Sequence, residues 1–195
     1  MHPMKMKTTT ISTILLIIVS LTASAQSSKT NAQYDSKLIA GSIEDFHDIL
    51  YFTQKAMDRA SDTRTKEIAQ EMLTDYTTTI YSFEQLASAG SGSGNHAEKG
   101  EGIFKETSAF NSKLSLLSGF EYDTLWVSNL IIMQQAKYDE FTQAKEKATN
   151  SQLKAAVTEA IPVIRKHNSK LKSLQKSLVR MMIQEKKEAA RKKVR

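Results

Sequence analysis

The chain has 195 residues, 40% hydrophobic and 25% charged, and contains no cysteine. That excludes disulfides, thiolate metal sites, a cysteine nucleophile and lipid attachment at a cysteine, so a folded domain here must rest on its own apolar core. The formal charge of +6 falls to +4 without Lys5 and Lys7, and the last ten residues hold +5 of that, which leaves a body near −1 and confines the basic character to a tail.

Residues 1–25 read as a signal peptide. Lys5 and Lys7 give a positive start, the run from Ile11 to Leu21 is mostly apolar, and Ala23-Ser24-Ala25 supplies the small residues of a cleavage site. An eleven-residue apolar run rises only about 16 Å as a helix, against the roughly 30 Å of a bilayer core. Export is therefore favoured over anchoring, with a mature chain starting near Gln26 and no membrane-spanning segment after cleavage. Residues 26–35 are small and polar and predict a disordered lead-in.

The folded domain is expected over 36–185. A first helix is predicted from about Ser36 to Ala60, with Ile39, Ile43, Phe46, Leu50, Thr53, Met57 and Ala60 as its stripe in steps of four and three. Ser61-Asp62-Thr63 breaks it, and Asp62 or Thr63 caps a second helix from about Arg64 to Ser88 that buries Ile68, Met72, Tyr76, Ile80, Phe83 and Ala87. A connection this short makes the two helices antiparallel neighbours. Residues 89–102 hold five of the seven glycines. Without a preceding strand they do not form a phosphate-cradling loop, and they read as a flexible Gly/Ser-rich loop.

A short helix is expected from about Phe104 to Leu117. A fourth follows from about Tyr122 to Ala148, on the stripe Trp126, Leu130, Met133, Lys137 (stem only), Phe141, Ala144 and Ala148. Asn150-Ser151 caps a long last helix whose stripe is Leu153, Val157, Ala160, Ile164, His167, Leu171, Leu174, Leu178 and Met181. Pro162 lies inside it and predicts a kink. At about 56 Å this helix exceeds its neighbours of about 38 Å, so its basic end should overhang the bundle. With no sustained period-two alternation anywhere, the fold class is all-α.

Two segments carry a resemblance. SDTRTKEIAQEMLTDYTTTIYSFEQLA (61–87) and GFEYDTLWVSNLIIMQQAKYDEFTQAKEKATNSQLKAAVTEAIPVIRKHNSKLKSL (119–174) resemble a widespread family of exported bacterial proteins of unknown function, often labelled outer-membrane proteins and ferritin-like in fold. The shared points are the Gly-x-x-aromatic-Asp opening, Met133, Pro162 and His167. The resemblance implies a ferritin-like four-helix bundle exported to the envelope, with no established activity. The chain also departs from the family. A histidine typical after the second helix's aspartate is replaced in Asp75-Tyr76, and another, after the mid-helix methionine, falls close to Gln134. Of the three, His167 alone is retained.

A di-iron carboxylate bundle needs two Glu-x-x-His pairs and two further glutamates. Ile164 stands three before His167, and Glu44-x-x-His47 has no second copy. No cofactor or metal is expected, and His167 is the one weak metal candidate. The favoured arrangement is a buried polar network of Tyr76, Gln134 and His167, with the histidine bonded to a hydroxyl or amide. No serine can be assigned a base and no nucleophile elbow is present, so no catalytic residue is assigned and the chain reads as a non-enzyme.

The leading expectation is an exported, non-enzymatic binding or structural protein of the periplasm or cell envelope, or a released one. Its partner is not identified beyond envelope components. A degenerate metal-binding or oxidoreductase bundle is the alternative, and it requires His167 to lie within reach of Glu71 or Asp75. A third reading gives the tail residues Lys186, Lys187, Arg191, Lys192, Lys193 and Arg195 the task of attaching to an anionic surface. The tail has no aromatic residue for base stacking, which disfavours nucleic acid.

Overall fold

A computed structural model describes the backbone of residues 11–90 and 107–193 and the side chains of 31–90 and 107–192. Among the described residues there are five helices and no strand: α1 (Ile11–Arg59), α2 (Thr63–Gly90), α3 (Thr107–Ser115), α4 (Gly119–Lys147) and α5 (Ser151–Lys193). The protein is an all-α bundle. The side chains of the expected leader and most of the Gly/Ser-rich loop lie outside the described residues. No described helix is long and apolar enough to cross a membrane.

The four long helices form a ring. α1 packs on α2 and α4 on α5, and the two hairpins meet through α2 against α5 and α1 against α4. The stripe of α5 faces inward as its spacing predicts, from Leu153 to Leu178, with His167 fully buried and Met181 half-buried. From Ile183 to Lys192 every residue is exposed, so α5 overhangs the bundle. It runs through Pro162 as a single helix.

The face of α1 is the expected one only in part: Phe46, Thr53 and Ala60 are buried as predicted. Ile39, Ile43, Leu50 and Met57 are only half-buried, and the buried face is Leu38, Ser42, Asp45, Phe46, Ile49, Phe52, Thr53 and Ala56. Ser42 and Asp45 stand on that face where apolar periodicity places Ile39 and Ile43, so apolar spacing alone points about one residue away over this stretch. The stretch 26–35, expected as a disordered lead-in, is helical within α1, and Asp35 is buried.

Asp35 shows why the helix extends that far. Its carboxylate accepts hydrogen bonds from the Thr149 backbone N–H (3.1 Å), the Thr149 hydroxyl (2.7 Å) and the Asn150 N–H (2.8 Å). These donors lie in the turn that opens α5. At the opposite end Asp123 of α4 accepts from the Ser61 N–H (3.2 Å), the Ser61 hydroxyl (2.6 Å) and the Asp62 N–H (2.8 Å), in the turn that opens α2. The two turns then cap their own helices. Asp62 Oδ1 accepts from the Arg64 N–H at 2.8 Å, and Asn150 Oδ1 accepts from the N–H groups of Gln152 and Leu153.

A pseudo-twofold relation underlies this. Tyr34-Asp35 and Tyr122-Asp123 each precede their own Ala-hydroxyl-Asx turn, Ala60-Ser61-Asp62 and Ala148-Thr149-Asn150, by the same number of residues. Each aspartate caps the other hairpin's turn. The hairpins are clamped reciprocally.

α3 docks on the outside of α1. Asn111 accepts from Lys55 at 2.9 Å, and Arg59 donates to the carbonyls of Ser115 (3.2 Å) and Leu117 (2.9 Å), satisfying the frayed C-terminal end of α3. Gly119 opens α4 at φ +58°, a left-handed backbone that glycine adopts without strain.

Candidate functional site

The polar centre lies where α2 crosses α5. Glu71 and Asp75 are one helical turn apart on α2, as are Lys166 and Lys170 on α5, and the helices run antiparallel, so unlike charges meet in register. Lys166 Nζ lies 2.7 Å from Asp75 Oδ2, Lys170 pairs with Glu71, and Lys166 also lies 4.0 Å from Glu71. Between them His167 turns inward, and its Nε2 sits 2.8 Å from the same Asp75 Oδ2.

Burial pushes the His167 pKa below its ordinary 6.5, against the pull of Asp75. The ring is therefore neutral near pH 7, with Nε2–H donating to the carboxylate. Burial also opposes ionisation of Asp75, but the bonds from Lys166 and His167 outweigh it and hold its carboxyl below the ordinary carboxylate range. The bond from Lys170 does the same for Glu71.

The expected network of Tyr76, Gln134 and His167 is brought together but connected differently. The Tyr76 hydroxyl donates to Gln134 Oε1, and burial raises its pKa, so it remains a phenol. The Tyr76 ring packs on the His167 ring with centroids 5.2 Å apart. The hydrogen bond of His167 goes to a carboxylate, not to a hydroxyl or amide.

A second buried polar centre, between α1 and α4, escaped the sequence reading. Lys137 is buried to its tip. Its Nζ lies 2.6 Å from Asp45 Oδ2, 2.6 Å from Glu140 Oε2 and 3.3 Å from the Ser42 hydroxyl, beneath the rings of Phe46 and Phe141. The expectation that only the stem is buried is thus corrected. An ammonium can be buried when carboxylates neutralise it there, and Asp45 on the polar part of the α1 face does so. A lysine placed on an apolar stripe, with an aspartate on a facing helix, was the available signal.

The other sequence candidates lie apart. His47 is exposed and lies 3.7 Å from Glu84, and the exposed Glu44 points away from the core with it. Lys186, Lys187, Arg191 and Lys192 are exposed on the α5 overhang. The side chains of Lys193 and Arg195 lie outside the described residues.

The carboxylates of the centre are already paired. A single Asp75 oxygen receives both His167 and Lys166, and the neighbouring Glu71 holds Lys170, so ammonium groups stand where a cation would sit. Among the described residues no three His, Asp or Glu side chains converge on one point. In the His–Asp pair the carboxylate takes Nε2, and Nδ1 is buried with no hydrogen-bond partner among the described residues.

The family model for a domain of unknown function, DUF4142, matches residues 21–174. No curated protein matches the chain, and no solved structure does. The match spans both hairpins, their reciprocal caps and the polar centre at His167, and the chain belongs to the DUF4142 family.

Proposed function

We propose that this protein is an exported, non-catalytic bundle of ferritin-like arrangement, acting as a binding or structural protein of the periplasm or cell envelope. The observation that carries the non-catalytic part is the pairing of Asp75 with His167 and Lys166, and of Glu71 with Lys170. In a bundle that works through a metal, inward carboxylates and imidazoles are held for the ion. Here the lone surviving histidine and its carboxylate satisfy one another, and lysines complete the pairing. The polar core then specifies how α2 packs on α5.

Export is supported by the leader-like composition of 1–25. Fractionation of expressing cells, with N-terminal sequencing of the product, tests it. The expected outcome is a chain beginning near Gln26 in the periplasmic or envelope fraction. An uncleaved chain confined to the cytoplasm contradicts the reading.

The α5 overhang favours a second role, attachment to an anionic surface through 186–195. Lys186, Lys187, Arg191 and Lys192 are exposed there, and such clusters gain about 1 kcal/mol per cation near anionic headgroups. Envelope association that is salt-sensitive and disappears when 186–195 is deleted is the expected result. Association unchanged by that deletion removes this role.

A further inference from the structure

The outward side of α5 changes character towards its end. Leu174, Leu178 and Met181 turn toward the bundle, the first two buried and the third half-buried. On the opposite side the branched aliphatics Val179 and Ile183 are 43% and 49% exposed. Val179, Met182, Ile183, Lys186, Lys187 and Ala190 recur at i, i+3, i+4, i+7, i+8 and i+11, which is one helix face over about 16 Å. This face lies beyond residues 21–174, which match the family model, and so is separate from what defines the domain.

The charges are sorted about that face. Lys186 and Lys187 lie on it and Lys176 and Arg180 border it. All four are exposed, and none forms an ion pair among the described residues. The acids of the segment, Glu185 and Glu188, fall at helical spacing from Leu178 and Met181, on the side that continues the bundle-facing stripe. There Gln184 donates to Glu188 at 3.3 Å.

Exposed aliphatics beside unpaired lysines, with the acids set apart, match a bilayer surface bearing anionic headgroups. Apolar side chains enter the boundary between headgroups and acyl chains, and lysine stems lie along it with their ammonium groups at the phosphates. A hydrated polyanion, whether glycan or nucleic acid, takes the charge and leaves Val179 and Ile183 in water. A second copy brings a second set of cations to the contact. Three apolar side chains also fall well short of the roughly 800 Å² per partner of a stable interface.

We propose that the end of α5 lies in the plane of an anionic bilayer surface, with Val179 and Ile183 seated among the headgroups and Lys186 and Lys187 paired to their phosphates. This rests on the attachment of the basic tail to an anionic surface. It names that surface as lipid, engaged by apolar side chains ahead of the tail.

The test is cosedimentation of the purified protein with phosphatidylglycerol–phosphatidylcholine vesicles and with vesicles of phosphatidylcholine alone, at low and at high salt. Beside the parent stand the Val179→Gln, Ile183→Gln double variant, which keeps every charge, and a chain truncated after Glu185. The parent should bind the anionic vesicles only, and more weakly in salt. The double variant should bind them about tenfold more weakly at an unchanged melting temperature, and the truncated chain should not bind. The proposal is overturned by a double variant that binds as the parent does, by a parent that binds neither vesicle, or by equal binding to both. Equal or tighter binding of polygalacturonate or duplex DNA also overturns it. Salt-sensitive envelope association that is lost on deletion of 186–195 but kept in the double variant removes the apolar seating and leaves the tail reading standing. Association indifferent to that deletion removes both.

Discussion

Asp35 on α1 and Asp123 on α4 are equivalent residues: each follows a tyrosine, and each caps the turn of the hairpin to which it does not belong. A buried carboxylate that accepts two backbone N–H groups and a hydroxyl leaves three donors unmet when it is removed. Asp35→Ala and Asp123→Ala should each cost about 2–4 kcal/mol in urea unfolding. Because the sites are at opposite ends of the bundle, the double variant should show nearly the sum. A loss below about 1 kcal/mol in either single variant contradicts the reciprocal clamp.

Lys137 and Asp45 form a buried pair whose partners differ in what their loss exposes. Asp45→Ala strands an ammonium under Phe46 and Phe141, with the partly exposed Glu140 as its remaining carboxylate, and should cost about 3–5 kcal/mol. Replacing both, as Lys137→Met with Asp45→Leu, should recover most of that loss, since a well-packed apolar pair of similar volume is tolerated. Equal destabilisation in single and double variants speaks against a paired charge.

The His167 pKa is depressed in the fold, so the folded state holds fewer protons than the unfolded chain between the two values. That contribution to stability is complete above the unfolded value of about 6.5 and is lost as pH falls through the folded value. Asp75, also depressed, adds a second loss below the ordinary carboxylate range. Unfolding free energy measured across pH 7 to 5 should decline in the parent and decline less in His167→Gln. Identical profiles mean that the ring does not titrate with folding.

Leu171 is fully buried and Leu174 nearly so. Truncation of either to alanine should leave a cavity and cost about 2–5 kcal/mol, read by denaturant midpoint. A loss under about 1 kcal/mol places the residue outside the core.

Much of this architecture was legible in the sequence because apolar residues at steps of three and four mark buried faces. The stripes of α4 and α5 point inward almost residue for residue, with Asp123, Gln134, Lys137, His167 and Asn168 buried beside or within them. On α1 the match is partial. Phe46, Thr53 and Ala60 are buried as expected, but Ser42 and Asp45 take places on the buried face that periodicity gave to Ile39 and Ile43. Polar groups that fold inward because a distant partner satisfies them carry no local signature. Asp35 looked like part of a loose lead-in because its partners, Thr149 and Asn150, are remote in the chain. The repeated Tyr-Asp pair, set at one spacing ahead of two hydroxyl-Asx turns, was the signal that could have found it. At the candidate site, His167 stood out as a histidine on an apolar stripe. Its partner Asp75 could be named only as one of two acids within reach, because the antiparallel register of α2 on α5 decides between them.

The central claim is that the carboxylates around His167 are held by lysines and by the ring itself, and form a packing junction rather than an ion site. Elemental analysis of the purified protein, after incubation with iron, manganese and zinc and removal of free metal, tests it most directly. The account predicts far less than one ion per chain, with no change in His167→Ala. One ion bound per chain and lost in that variant would contradict it.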